Sequence, residues 1–597
     1  MVENHQSACF RPPSSTVRYF VSFREPQTHY VSVEAHFPVA GHPEVEVFMP
    51  VWTPGSYMVR EYARHVDGIQ VSNPSGQPLS FAKSRKNRWQ VETGGADEIR
   101  FSYRVYCRDM SVRTNWVEGS FALLNGAPTF IGLVGALHLP HEVRLELPNS
   151  WMTSITGLPE STSGHPHHYV AEDYDTLVDS PILAGNPAIY QFEVDGIPHF
   201  LVNEGEGGIW DGPRSAVDVE KIVRHCSRMW GSIPYRKYVF LNMLTEAGGG
   251  LEHRNSVCMM GSRWATRTPQ AYIKWLDLVA HEYFHVWNVK RLRPAELGPF
   301  DYENENLTRS LWVAEGLTEY YTGLIVHRAG LCTQAEYLGT DTNPRHASLS
   351  GLIAALQSTP GRLYQSAEQA SWDAWIKLYR PDENSRNTSI SYYVKGAVIG
   401  WLLDARIRRN TCGAKSLDDL MRLAFERFSG ERGFTPDQFK AAAEEVAGTS
   451  LKNFFARTVE STEELDYSEA LDWFGLRFRS TGPQKCWLGA ETRVNHGRLI
   501  VSHVPRDTSA WNSGLNVDDE IIAIGDFRVR ADKFPERLEN YHPGDLVSLL
   551  IARREQVMRI ELTLGEETGK WQLDLGPDAT EPQKQNLENW LKGKPAK

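Results

Sequence analysis

The sequence predicts a multidomain protein with an antiparallel β domain at the N-terminus, an α+β middle whose second half is mostly helical, and a small strand-rich module near the C-terminus. Three observations carry this. Apolar and polar residues alternate from Val17 to about Leu183, a period of two that suits strands with one buried face. From about residue 219 the apolar spacing lengthens to that of a helix. A short Gly, Pro and Gln stretch at 481–485 then sets off a last group of short strands. At about 150 residues per domain, 597 residues leave room for several such units.

In the first unit, 1–185, Val31, Val33, Ala35 and Phe37 alternate with Ser32, Glu34 and His36. Further strand runs fall at 45–49, 99–106 and 143–147, and a two-sheet sandwich is expected. In the second unit, 186–475, Val219, Ile222, Val223, Cys226, Met229 and Trp230 mark a helix, and 238–244 reads as a strand. Thr268 and Pro269 cap and open the next helix, with Pro294 expected to stop it and Gly330 to close the one after. The third unit, 476–566, has strand runs at 498–504, 519–524 and 546–552 with two short helices between. Residues 567–597 are polar and proline-bearing, so a tail is expected there, with at most one helical turn around Leu587 to Leu591.

Hydrophobic residues at 41% and charged residues at 23% describe folded soluble protein and exclude collagen, coiled coil and wholesale disorder. Sixty-three Lys and Arg against 74 Asp and Glu leave a net charge of -11 with no basic block, so no nucleic-acid partner is expected. The seven cysteines (Cys9, Cys107, Cys226, Cys258, Cys332, Cys412 and Cys486) are scattered and form no CxxC pair, which suits a reducing compartment. With no signal-like start and no long apolar run, the expectation is a cytoplasmic protein that does not span or bind a membrane.

Chemistry concentrates at Ala280-His281-Glu282-Tyr283-Phe284-His285, an HExxH pattern in a helix whose apolar stripe is Tyr272, Leu276, Val279, Tyr283 and Val286. His281 and His285 lie about 40° apart on that helix and clear of the stripe, so they can grip one ion. Catalytic zinc needs a third protein ligand and an open fourth position. A pair of hydrogen-bonded core histidines is the competing reading. The following stretch, Leu311-Trp312-Val313-Ala314-Glu315-Gly316-Leu317-Thr318-Glu319-Tyr320-Tyr321, sets Glu315 and Glu319 four residues apart on one helical face. Glu315 can complete the ligand set, and Glu319 can accept the free ring N–H of a ligating histidine. Upstream, three small residues in Gly248-Gly249-Gly250-Leu251-Glu252-His253 leave a backbone edge open to an extended peptide, with Glu252 at its end.

His281-Glu282-x-x-His285 followed by Glu315-Gly316 resembles a gluzincin, a zinc peptidase of the thermolysin-like clan, and within it the glycyl aminopeptidase family. The resemblance also rests on Trp52-Thr53-Pro54-Gly55-Ser56-Tyr57 with Arg60, on Gly248 to His253, on His281 to Arg291 and on Tyr392-Tyr393-Val394-Lys395-Gly396, and 29 residues lie between His285 and Glu315. It implies a thermolysin-like catalytic domain, one zinc ion per chain held by His281, His285 and Glu315, and Glu282 as general base and acid. It also implies that Tyr393 stabilises the oxyanion, with Tyr392 as competitor, and that Glu252, beside Gly249 and Gly250, holds the free α-ammonium of a peptide. Lys395 is expected to serve the structure; Lys290, Arg291 and Arg293 are expected to complement the carboxyl end of the metal helix. His253 has no assigned role.

Residues from about 485 to 565 resemble a PDZ domain. The resembling segments are Trp487-Leu488-Gly489 as a carboxylate-binding loop, Ser513-Gly514-Leu515-Asn516-Val517-Asp518-Asp519-Glu520-Ile521-Ile522, and a groove-lining helix at 534–541. Leu488 departs from the usual aromatic-containing loop, so capture of a peptide C-terminus and simple packing on the catalytic unit both stand as expectations. The activity expected is removal of N-terminal Gly or Ala from peptides with a free amine. A zinc endopeptidase and an inert peptide-binding scaffold are the alternatives.

Overall fold

The computed structural model of the chain describes residues 16–340, 347–479, 485–566, 571–594 and 596. Cys9 and most of the 481–485 stretch lie outside these residues. In the first unit, Val17–Ser22, Tyr30–Pro38, Val66–Ser72, Glu98–Tyr106, His141–Glu146 and His168–Ala171 form one sheet; Glu44–Phe48, Phe81–Arg85, Arg88–Glu92 and Gly132–Leu133 form a second. Val31, Val33, Phe37, Val47, Trp89 and Phe101 share one core, which makes a β-sandwich. The sheet is not purely antiparallel as expected, because Val17–Ser22 runs parallel to His141–Glu146. Those two strands are far apart in sequence, so no hairpin turn sets their relative direction.

A third sheet, containing Trp116–Val117, Ala122–Leu124, Thr153–Thr156 and Ile182–Gly185, turns Leu123 and Leu183 onto Val239, Leu241, Met243, Leu251 and Cys258 of the second unit. These belong to a five-stranded sheet ordered Ala188–Val194, Ile197–Glu204, Tyr238–Leu244, Ser256–Gly261, Gly249–Glu252. The last strand pairs only with Ser256–Gly261, which leaves it at the sheet edge among the described residues.

Thr268 and Pro269 open the helix Pro269–Phe284 as expected, but it ends well before Pro294. Tight turns follow, with Val286 N–H donating to the Tyr283 carbonyl and Trp287 N–H to that of Phe284. The three basic residues therefore do not form a charge cluster at a helix end. Lys290 Nζ pairs with Asp179 at 2.6 Å, Arg291 donates to the carbonyls of Val286, Pro234 and Arg254, and the Arg293 guanidinium lies over Phe300. Helices make up most of the remainder of this unit, and no helix among the described residues is long and apolar enough to cross a membrane.

The strand-rich module, with Glu491–Asn495, Arg498–His503, Glu520–Ile524, Leu546–Arg553 and Gln556–Thr563, has its own core. Leu488 is fully buried in that core, and the expected groove helix spans only Phe534–Leu538. Asn387 ties the module to the helical unit, donating to the Val504 carbonyl and accepting from Arg506 N–H.

The expected tail is overturned for its described residues. Gln572–Leu575 pairs with Leu476–Arg479, so both strands join the helical unit rather than the module, and Glu581–Lys592 is a three-turn helix. Its Trp590 is fully buried, stacks on Phe474 at 4.6 Å and donates from Nε1 to the Tyr320 hydroxyl at 2.8 Å. A polar average hid the stripe of Leu587, Trp590 and Leu591, which at helical spacing is enough to dock one face. Replacing Trp590 with Ala is expected to cost about 3–5 kcal/mol of stability, read by chemical denaturation.

The β domain and the second unit are joined by a buried polar knot. Asp179 accepts from Lys290 Nζ at 2.6 Å, faces His253 Nδ1 at 3.2 Å, and accepts from Arg254 N–H at 2.7 Å. Burial alone would raise its pKa, but Lys290 and His253 hold it down at about 2. Because the folded value lies below the ordinary one, this stability is present above about pH 4 and fades as pH falls toward 2. Asp179→Asn is expected to lower the melting temperature at pH 7 by a margin that shrinks steadily below pH 4, measured by calorimetry.

Candidate metal centre and active site

Three elements bring the site together. The first is the helix Pro269–Phe284, which carries His281 and Glu282 and holds His285 at its C-terminal cap. The second, Trp312–Gly316, is a single turn of π-helix running into the α-helix Leu317–Arg328. A π turn widens the backbone ladder and frees carbonyls. Asn288 collects them, its Nδ2 donating to Val313 O at 2.9 Å, Ala314 O at 3.1 Å and Thr318 Oγ1 at 3.1 Å. The turn after His285 thus anchors the turn that bears Glu315.

Within the site, Glu315 Oε2 lies 3.1 Å from His285 Nε2 and 3.5 Å from His281 Nε2. The opposite ring nitrogens are engaged elsewhere. His281 Nδ1 is 3.0 Å from Thr322 Oγ1 and 3.0 Å from Glu319 Oε2, while His285 Nδ1 is 2.7 Å from the Asn288 carbonyl. Acceptors at Nδ1 hold a proton there, which leaves Nε2 of each ring facing Glu315 as the atom that takes either a second proton or a cation. Although burial opposes it, Glu315 and Glu319 hold His281 above its ordinary pKa, and Glu315 does the same for His285. Burial would raise Glu315 too, yet the facing imidazoles bring it down to about 2. Two nitrogens and one oxygen, with ligand atoms within 4.8 Å of one another, fit a zinc-type donor set.

Glu282 is buried beside this group with Oε2 unpaired, and burial pushes its carboxyl up to about 7 against the pull of both imidazoles. Its neighbour across the site is Gly250, where a Cβ would fall 2.1 Å from Glu282 Oε1. Any side chain at 250 would displace the carboxylate. Glu252, also buried with Oε1 unpaired, lies with Glu282 and His285 in a second group whose ligand atoms fall within 4.8 Å. Gly55 of the β domain, at φ +87°, approaches so closely that a Cβ there would sit 2.6 Å from Glu252 Oε1. A cavity of about 720 Å³ between the two units borders Gly55, Tyr57 and Glu252, then runs away from the histidines toward Asp179 and Lys290.

The third element is the helix Tyr392–Asn410, N-capped by Ser391. Gly396 fits against Gly316: a Cβ on Gly316 would lie 2.5 Å from Gly396 Cα. This backbone contact explains why a glycine follows both Glu315 and Lys395. It brings the Tyr393 ring into a stack with His281, centroids 6.1 Å apart, and its hydroxyl 3.2 Å from that of Tyr379. Tyr393 is partly open, whereas Tyr392 is fully buried. Burial, then Glu315, raise the phenol of Tyr393 well above its ordinary range, so it remains a proton donor. Lys395 is buried, and burial lowers it to about 8.

All nine residues singled out from sequence, His281, Glu282, His285, Glu315, Glu319, Tyr393, Glu252, Gly249 and Gly250, therefore fall in one region, with Glu319 against His281 rather than in the ligand group. Sequence reasoning missed Thr322, Asn288 and Tyr379. Asn288 sits inside a quoted motif string and could have been found there; Tyr379 has no local signal, because a loop distant in sequence delivers it.

Residues 18–186 match the Peptidase M61 N-terminal domain, and residues 274–399 match the M61 glycyl aminopeptidase domain. The crystal structure of an aminopeptidase N family protein from Idiomarina loihiensis superposes with a TM-score of 0.88 at 29% identity, covering 96% of this chain and 100% of that one. An M1 zinc metallopeptidase variant from Deinococcus radiodurans, solved with a Tyr-Ser-Ala substrate, reaches a TM-score of 0.46 at 13% identity over 76% of this chain and 95% of that one. No curated protein matches the sequence. With a full-length structural relative beside them, the two matches show that this chain carries, in order, the N-terminal and glycyl aminopeptidase domains of the M61 peptidases and is a peptidase.

Proposed function

We propose that the protein is a zinc-dependent aminopeptidase that removes a small N-terminal residue, glycine or alanine, from peptides. The observation that supports it most is the convergence of His281 Nε2, His285 Nε2 and Glu315 Oε2 beside two unpaired buried carboxylates. In this reading His281, His285 and Glu315 hold one zinc ion, which when bound supplies Lewis acidity toward the scissile carbonyl.

The chain's own groups do the rest. Gly249 and Gly250 offer the backbone of an edge strand to an extended peptide, which adds to the sheet. The Oε1 atom of Glu252, unpaired in the buried site, accepts from the substrate ammonium and so admits a chain only by its end. Gly55 closes the far side of that carboxylate, which favours a small first residue. Glu282, at a pKa of about 7, takes a proton from the attacking water at Oε2 and returns it to the leaving amine. The Tyr393 hydroxyl donates to the developing oxyanion. Glu319 keeps the His281 proton on Nδ1 and thereby keeps Nε2 free. The strand-rich module buttresses the helical unit through Asn387, four residues before the Ser391 cap of the Tyr393 helix.

The metal content and the chemistry are separable. Glu315→Gln is expected to lose bound zinc, measured by elemental analysis, whereas Glu282→Gln should keep about one zinc per chain and lose at least a hundredfold in kcat on a glycyl anilide. A zinc-free wild type that still cleaves would defeat the reading. Acetylating the substrate amine should abolish cleavage, and Glu252→Gln should lower kcat/KM by roughly ten- to a hundredfold. An endopeptidase would tolerate both changes.

A further inference from the structure

Opposite the acidic end of the site, two cations from the β domain lack an anionic partner. Arg60 follows the Trp52 to Tyr57 turn; its Nη2 donates to Ser56 Oγ at 2.9 Å, while its buried Nε has no partner. Arg113 lies on the loop between Glu98–Tyr106 and Trp116–Val117, and its buried Nε is likewise unpartnered. The loop itself is fixed, with Tyr62 Oη donating to the Arg113 carbonyl at 2.9 Å and Arg113 N–H donating to Ser111 Oγ at 3.1 Å. The side chain, by contrast, reaches toward the edge strand: Arg113 Nη1 is 3.9 Å from the point a Cβ on Gly249 would occupy.

Burial depresses the Arg60 pKa and the charge of Arg113 adds to this, so the two guanidiniums act on each other. Both also bear on Tyr379, whose hydroxyl is 3.2 Å from that of Tyr393. Exposed Asp109 offsets Arg60 in part without reaching ion-pair distance. Partly buried cations without a counterion are costly unless an anion completes them.

We infer that Arg60 and Arg113 form a recognition site for the C-terminal carboxylate of a short peptide, which makes this enzyme a peptidase of free peptides about three residues long. The inference rests on the aminopeptidase reading above. If the ammonium is held at Glu252 and the chain runs antiparallel to the edge strand past Gly250 and Gly249, three residues at about 3.4 Å each span roughly 10 Å. That is the rise from Glu252 back to Gly249, beside which Arg113 stands. Guanidinium forks suit a carboxylate, and the opposed charges at the two ends of the strand select a zwitterion of matching length.

The test compares triglycine with triglycine amide, measuring kcat/KM for both on the zinc-loaded enzyme. The free acid is expected to be favoured about tenfold or more. That ratio should fall toward one in the Arg60→Ala/Arg113→Ala double variant and take an intermediate value in Arg113→Lys, which keeps the charge but not the fork. A wild-type ratio near one overturns the inference, as does a double variant in which both substrates weaken equally and the ratio stays high. Absence of turnover on either peptide overturns the aminopeptidase reading itself and the inference with it. A wild type that cleaves both peptides equally overturns the inference alone.

Discussion

Two imidazoles and a carboxylate crowded into one buried space need a positive charge among them, whether from protons that Glu315 draws onto the rings or from a bound cation. This constraint organises the catalytic unit. Nδ1 of each histidine is committed to an oxygen acceptor, so neither ring can turn its Nε2 away from Glu315. Glu315 cannot retreat either, because Asn288 fixes the π turn from one side and the Gly316 to Gly396 contact fixes it from the other. Preorganisation of this kind keeps the three side chains together.

The β domain is part of the site rather than an appendage. Its Gly55 meets Glu252, its Tyr57 ring lies against Trp375 and Tyr379 of the helical unit, and Asp179 forms the knot with Lys290, His253 and Arg254. In return, Tyr302 of the catalytic unit joins the sandwich core and donates to Asp175. A cleft built across such an interface depends on both units holding their relative position. That explains the density of buried polar ties where one or two would hold the chain.

Much of this was legible beforehand because the signals are local. HExxH fixes two side chains one helical turn apart in any helix, and alternation of Val31, Val33, Ala35 and Phe37 fixes a strand face. The failures share the opposite character. Pro294 reads as a helix stop, but competing turns at Val286 and Trp287 end that helix earlier. The C-terminal segment looks like a tail because its few apolar residues are diluted by polar ones; only the pocket formed by Phe474 and Tyr320 makes Trp590 worth burying.

The sequence by itself determined the donor types, their spacing along two helices and the glycines that mark close approaches, since these follow from the helical repeat and from the absence of a Cβ. Tertiary structure alone decided which nitrogen of each histidine faces Glu315, that a π turn rather than an α turn carries that carboxylate, and that Arg113 reaches the edge strand from the β domain. Each of those facts is a relation between segments distant in the chain, and periodicity along one segment carries no information about the angle at which it meets another.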